Sequence, residues 1–332
     1  MPSFRTGVVT ALLSERPGLQ RVETTYGRAY VLTQLIGSVA VGDPVVLNST
    51  AVDLQLGTGG WHIVHWNLAR QEFHEPGPGH IMKLRYTSLQ VDVGSAEEHH
   101  PDIPSYLEGM PVVVGGLHSQ VPCIAAAVRA AVPTARIAYV MTDGAALPIA
   151  LSDLVAGLVA SGLVATTITA GQAFGGDLEA VSVPSALALA RHVVGADVAI
   201  VAMGPGVVGT GSTLGTSSLE VAAILDAAAA LGGRPIAALR MSDGDERERH
   251  QGVSHHSRTA LDLTRSSVLV ASPFPGAFAH DRHDVREVPP PDIPALLAAA
   301  GLEVTTMGRG PAADPLFFAA AGAAGTLAAS LL

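Results

Sequence analysis

The chain has 332 residues, 48% of them hydrophobic and 14% charged, with a formal net charge of −10. That is enough apolar material for one large core and one small one, and it excludes a disordered chain. The acidic balance, the lack of a Lys/Arg-rich run and an aromatic content of 4% argue against nucleic acid as a partner, because a phosphate backbone calls for a basic face and single strands for stacking platforms.

The first apolar runs are short and β-like: 7–13, 21–26, 28–33 and 41–47, with turns at Gly27 and Gly42-Asp43-Pro44. They predict a small antiparallel β-barrel over residues 1–75. The glycine-rich turn Gln55-Leu-Gly57-Thr58-Gly59-Gly60 then enters a strand carrying both tryptophans. Alternation puts Trp61 and His65 on one face of that strand and His62 and Trp66 on the other. Glu75-Pro-Gly-Pro-Gly79 is the expected boundary, because two prolines and two glycines break either periodicity. Residues 80–93 read as one more strand, and Glu97-Glu98 with His99-His100 as a solvated linker.

From Met110 onward, apolar runs alternate with Ala/Leu/Val-rich helical stretches. Strands are predicted at 112–115, 136–142, 163–169, 197–203, 235–241, 267–272 and 302–306. Helices are predicted at 120–132, 147–160, 181–194, 217–231, 256–264, 292–300 and 314–330. This alternation makes residues 80–332 an α/β domain, a doubly wound, largely parallel sheet with helices on both faces. Residues 315–332 are almost uncharged, but they are rich in Ala and Gly and lack aromatic or basic anchors, so a packed core helix is expected and a membrane segment is not. A lone cysteine, Cys123, precludes an intramolecular disulfide and reads as a buried structural thiol. The N-terminus lacks a charged region followed by an apolar stretch, so a cytoplasmic location is expected.

In parallel sheets ligands bind at the carboxyl edge of the strands. The residues following each predicted strand are rich in polar groups: Gly115 to Gln120, Thr142-Asp143-Gly144, Gly171 to Glu179, Gly204 to Thr213, Asp243 to Ser257 and Phe274 to Asp281. The opposite loops, such as 131–134 and 231–235, carry few titratable groups. One rim should therefore hold a composite pocket. Within it, Gly204, Gly206, Gly209, Thr210, Gly211, Ser212 and Thr213 can form an anion-binding nest, or else only a tight turn. Gly204-x-Gly206-x-x-Gly209 matches a dinucleotide fingerprint, yet no acid ends the following strand at the expected spacing, so nicotinamide is not favoured.

The segment from Asp243 to Ser257 supplies Asp243 and Asp245 as candidate ligands of a divalent metal, and His250, His255 and His256 as acid/base groups. His118 and Asp143 would complete the site, and Arg247 with Arg249 would clamp an anionic substrate. A local ion-pair network on a solvated loop is the alternative for the arginines. Ser119 beside His118 and Ser254 beside His255 suggest a serine nucleophile, but sequence neighbours in a loop usually point apart.

Several motifs together, Val41-Gly-Asp-Pro44, Gly115-Gly-Leu-His-Ser-Gln120, Thr142-Asp-Gly144, Gly204-Pro-Gly-Val-Val-Gly-Thr-Gly211 and His250-x-Gly-x-Ser-His-His-Ser257 among them, resemble an uncharacterised bacterial family of unknown function. The resemblance runs along nearly the whole chain and implies no activity. The residues themselves point to an enzyme that acts on a small anionic metabolite, phosphorylated ones among the candidates, by hydrolysis or group transfer. The alternatives are a non-catalytic nucleotide- or metabolite-binding sensor and a nicotinamide-dependent oxidoreductase. The oligomeric state stays open, a homo-oligomer included.

Overall fold

Five strands between Phe4 and Asn67 curl into a closed barrel: β1 (Phe4–Arg16), β2 (Leu19–Thr24), β3 (Gly27–Leu32), β4 (Pro44–Asn48) and β5 (His62–Asn67), in the order β1-β2-β3-β5-β4. The computed structural model describes residues 2–56 and 59–332; Gly57 and Thr58 of the predicted glycine-rich turn lie outside them. β1 is long enough to pair with β4 through Phe4–Val8 and with β2 from Val9 onward. All contacts are antiparallel except β3 with β5, since β4 and two single-turn helices, α1 (Thr33–Ile36) and α2 (Thr50–Asp53), intervene between them. Val9, Val22, Val31, Val45, Leu47 and Val64 fill the interior. Trp66 packs on that core, whereas Trp61 stacks on Tyr30 at 4.6 Å.

Residues 80–93 do not form the single strand expected. Leu84 and Tyr86 adopt positive φ, 52° and 62°, and reverse the chain into a two-residue ribbon of β6 (Met82–Lys83) and β7 (Val91–Asp92). The chain divides into compact units at Met1–Gly94 and Ser95–Leu332, later than the Pro/Gly cluster, so this ribbon belongs to the first unit.

The second unit contains β8 (Pro111–Gly115), α3 (Val121–Ala131), β9 (Ile137–Thr142), α4 (Asp153–Ala160), β10 (Thr166–Ala170), β11 (Leu178–Ala180), α5 (Val183–His192), β12 (Val198–Met203), α6 (Glu220–Ala230) and β13 (Arg234–Ala238). It continues with a short ribbon of β14 (Met241–Ser242) and β15 (Gly252–Val253), then α7 (His255–Leu263), β16 (Leu269–Ser272), β17 (Asp284–Glu287), α8 (Ile293–Ala299) and α9 (Pro315–Ala329). Eight strands form one sheet in the order β11-β10-β9-β12-β8-β13-β16-β17, with every neighbouring pair parallel.

Period-two alternation sorts the strand residues onto two cores. Val113, Ile137, Tyr139, Ile200 and Ile236 meet residues of α3, α8 and α9 on one face, while Val112, Val114, Val140, Val201 and Val270 meet α5, α6 and α7 on the other. Each such side chain contributes about 1.5–3 kcal/mol by leaving water, which is why these runs read as continuous hydrophobic stretches. α9 lies in the core against α3, so close that a Cβ at Gly325 would strike the Ile124 carbonyl oxygen. Among the described residues no helix is long and apolar enough to cross a membrane. Residues 302–306 are not a sheet strand; the edge beyond β16 is taken by β17 instead.

Candidate functional site

The strand order reverses around β8. The chain leaves β8 for β9, β10 and β11 on one side, returns as β12 into the gap between β9 and β8, and then crosses to β13 on the far side of β8. A crevice must open where the loops after β8, β12 and β13 diverge. Buried Gln120 spans it: its side chain donates to the carbonyls of Ala238 and Leu239 at 3.2 and 3.0 Å and accepts the Leu117 N–H at 3.0 Å.

Arg240 follows β13 directly and is 6% exposed. Its N–H donates to Ser257 Oγ at 2.8 Å, and the Ser254 N–H returns to its carbonyl at 2.9 Å, so the excursion through β14 and β15 is closed at its neck. Buried Asp314, at the start of α9, holds the same loop by accepting from Ser242 Oγ at 2.7 Å, from the N–H groups of Asp243 and Gly244, and from Arg309 Nε at 3.0 Å. Asp245, 3% exposed, accepts from Arg247 Nε and Nη2, each at 2.8 Å, from Arg309 at 3.2 Å and from Arg240 at 3.5 Å. Hydrogen bonding from Arg247 holds its carboxyl well below the usual range.

Three imidazoles gather on this loop. Ser254 caps α7 by accepting the His256 N–H at 3.2 Å, which places His255 and His256 in the first turn, and its Oγ lies 2.8 Å from His250 Nδ1. One ring nitrogen of each of His250, His255 and His256 lies within 4.8 Å of the others, and His255 Nε2 is buried without a hydrogen-bond partner among the described residues. Burial, followed by the Arg240 charge, pushes His250 down to about 3 and His256 down to about 4. His255 is lowered by burial and then by Arg249. All three rings are neutral near pH 7.

A cavity of about 120 Å³ opens on this cluster, lined by Val207, Gly209, Gly211, Arg240, Arg247, Arg249, His250 and His256 among others. No carboxylate lines it among the described residues. Arg249 is exposed and has no acidic partner among the described residues. Arg240 and His256 also wall a smaller, mainly apolar cleft with Gly116, Val221, Ala237 and Ala260.

His118 and Asp143 sit on the same rim but form a separate group. His118 Nε2 is 2.7 Å from Ser152 Oγ, which accepts the Val155 N–H as the cap of α4, and Nδ1 is 3.2 Å from the Met203 carbonyl. The hydroxyl thus donates to Nε2 while Nδ1–H donates to Met203, an assignment made from the network. Burial lowers His118 to about 4. Asp143 accepts the Gln172 N–H at 2.9 Å and so braces the turn after β10. Beside it, Thr142 Oγ1 donates to Glu220 at 2.6 Å, and burial raises Glu220 to about 7.

The loop after β12 runs from one group to the other. Gly204 packs so tightly on the Ala146 carbonyl that a Cβ would stand 2.5 Å from its oxygen, and the positions of Gly209 and Gly211 abut His256 and Arg249. In between, the loop closes on itself. The Thr210 N–H donates to the Gly215 carbonyl at 2.8 Å, the Gly215 N–H to Ser212 Oγ at 3.1 Å, and the Thr210 and Ser212 hydroxyls bond each other at 2.9 Å. Thr213 is exposed. These groups are spent locally, and the loop contributes Val207, Val208, Gly209 and Gly211 to the cavity wall. α6 begins only at Glu220, with an acid in its first turn, which is unsuited to a pyrophosphate.

Of the two expected metal ligands, Asp245 has its oxygens engaged by guanidinium groups, and Asp243 is exposed with Oδ1 accepting the Leu316 N–H at 3.4 Å. The serines do not pair with their sequence neighbours: Ser152 engages His118, 34 residues before it, and Ser254 engages His250, four residues before it, not Ser119 or His255. Arg249 lines the cavity beside Arg247, as the expected anion clamp requires, whereas Arg240, Arg309, Asp314 and Glu220 were missed as site residues by sequence reasoning. For Arg240 a signal existed, because it is the first charged residue beyond a buried strand; Arg309 and Asp314 arrive from about seventy residues downstream with none.

A sequence-family model described as a protein of unknown function (DUF3866) matches residues 28–325. No curated protein and no solved structure shows significant similarity to the chain.

Proposed function

This chain belongs to that family of unknown function, and we propose from its site that it is an enzyme acting on a small anionic, phosphorylated metabolite by hydrolysis or group transfer. The observation that carries this reading is the cavity with Arg240, Arg247 and Arg249 in its wall and no acid among its lining residues. Arg249 presents paired donors matched to an oxyanion, and Arg247 and Arg240, whose terminal nitrogens are partly committed to Asp245 and His256, add positive charge. The apolar cleft behind Arg240 and His256 suits the remainder of such a molecule.

His250 supplies the acid/base chemistry and His256 a fixed hydrogen-bond donor. Both are kept neutral by burial and by nearby guanidiniums; a bound anion offsets that positive field and lets His250 take up a proton at Nδ1, where Ser254 Oγ turns from donor to acceptor, and pass its Nε2 proton to a departing oxygen, while the Nδ1 of His256 stays against Arg240. Among the described residues the lining contains no hydroxyl or thiol nucleophile, and Ser254 is fully buried, so transfer would proceed by direct attack of water or an acceptor on the substrate. That same absence favours a second reading, a sensor that binds the anion without turning it over.

The test is a panel of phosphate esters and nucleotides, assayed for thermal stabilisation and for phosphate release with wild type and His250→Gln. Stabilisation with turnover that His250→Gln abolishes supports the enzyme. Stabilisation without turnover supports the sensor. No response to any anion removes both.

A further inference from the structure

The two histidines that line the cavity have their outer ring nitrogens engaged, and each engagement fixes a proton. A guanidinium can only donate, so Arg240 Nη1, 3.3 Å from His256 Nδ1, makes that nitrogen an acceptor, and a neutral ring accepting there carries its hydrogen on Nε2. Ser254 Oγ already accepts the His256 N–H, and His250 Nδ1 at 2.8 Å is the acceptor for its one hydrogen among the described residues. His250 therefore also carries its hydrogen on Nε2. A Cβ built on Gly209, which lines the cavity, would stand 3.5 Å from His256 Nε2.

Three imidazole nitrogens within 4.8 Å of one another invite comparison with a metal centre. A metal, however, needs bare lone pairs. Two of these three rings present N–H groups, and the arginines add like charge against any cation. The charges counted residue by residue favour an anion. Arg240, Arg247, Arg249 and Arg309 are faced by Asp245 and Asp314, which leaves two positive charges unmatched; Asp243, Glu246 and Glu248 on the same loop are exposed and line no part of the cavity. The space of about 120 Å³ far exceeds the roughly 10–15 Å³ that one water requires.

Building on the anion reading above, we propose that His250 and His256 are held as Nε2–H donors which, with Arg247 and Arg249, form a receptor for a tetrahedral dianion, the terminal phosphate of a phosphomonoester, and do not form a metal centre.

Two measurements on the full-length protein test this. Long-range ¹H–¹⁵N NMR of the histidine rings at pH 7.5 should show the hydrogen on Nε2 of both His250 and His256. Calorimetric titration with inorganic phosphate, acetate and Zn²⁺, each alone, should show saturable phosphate binding, acetate weaker by about tenfold or more, and no Zn²⁺ binding that depends on His255. A hydrogen on Nδ1 of either ring, or stoichiometric Zn²⁺ binding lost in His255→Ala, overturns the proposal. Acetate binding as tightly as phosphate overturns the dianion assignment while leaving an anion site standing. No anion binding with both Nε2–H tautomers present overturns the functional reading itself.

Discussion

Two histidine–serine groups stand on the same rim of one sheet and differ in a single respect. At His118 the helix-capping Ser152, the ring and the Met203 carbonyl form a closed circuit in which both ring nitrogens are used. At His250, His255 and His256 the helix-capping Ser254 engages one ring nitrogen, Arg240 engages another, and the inner nitrogens have no partner among the described residues. The first group ties β8, β12 and α4 together. The second leaves donors beside a cavity. Residue type and position alone made these groups look equivalent; hydrogen-bond saturation separates a latch from a binding site.

The largest effect should come from the carboxylate that holds the cationic group together. Asp245→Ala leaves three guanidiniums without their shared acid and should lower unfolding free energy by about 3–5 kcal/mol in chemical denaturation. Full retention of stability would mean that the arginines have another means of support.

Next in size is a matched pair of substitutions. His118→Leu leaves the Ser152 hydroxyl without its acceptor and takes one of two donors from the Met203 carbonyl, the Tyr139 hydroxyl remaining at 3.3 Å, and should cost about 1–3 kcal/mol, the range for one buried polar group left alone. His255→Leu removes a buried nitrogen that has no partner, and should cost less than about 1 kcal/mol. Equal losses for the two would erase the distinction between the groups.

Acid should then sharpen it. His118, His250 and His256 are lowered to about 4, 3 and 4, so below their ordinary value near 6.5 the unfolded chain binds protons that the native chain refuses. Stability from these groups is present above that value and is lost as pH falls toward 4. Glu220, raised to about 7, acts in reverse: its native form keeps a proton that the unfolded form releases, and this contribution is lost as pH rises from about 4.5 to 7. Melting temperature should therefore fall between pH 7 and 4.5, more steeply in Glu220→Gln, where the opposing contribution is gone. A flat profile in both proteins would contradict the assigned burial.

The smallest stability effect is expected at Arg249, exposed and without an acidic partner among the described residues. Arg249→Ala should stay within about 0.5 kcal/mol of wild type, which makes it the cleanest probe of binding.

The α/β architecture was legible because strands buried on both faces read as unbroken apolar runs; β9 and β12 were placed within a residue. The elements missed lack that signature. β11 has three residues, and β17, Asp284-Val-Arg-Glu287, is a largely exposed edge. Residues 302–306 alternate in burial as a strand does, but periodicity reports an extended chain and not its partner. The rim of the site was legible because the strand-to-helix loops on that side carry the polar residues. The pairings were not, because Ser152 lies 34 residues from His118 and Asp314 lies 72 from Ser242. Nor could sequence separate Thr210 and Ser212, which bond each other, from groups free to hold a ligand.

Calorimetric titration of inorganic phosphate into wild type, Arg249→Ala and Ser152→Ala bears most directly on the cationic cavity. Saturable one-to-one binding is expected in wild type and Ser152→Ala, weakened about tenfold or more in Arg249→Ala. Absence of binding, or binding indifferent to Arg249, would contradict it.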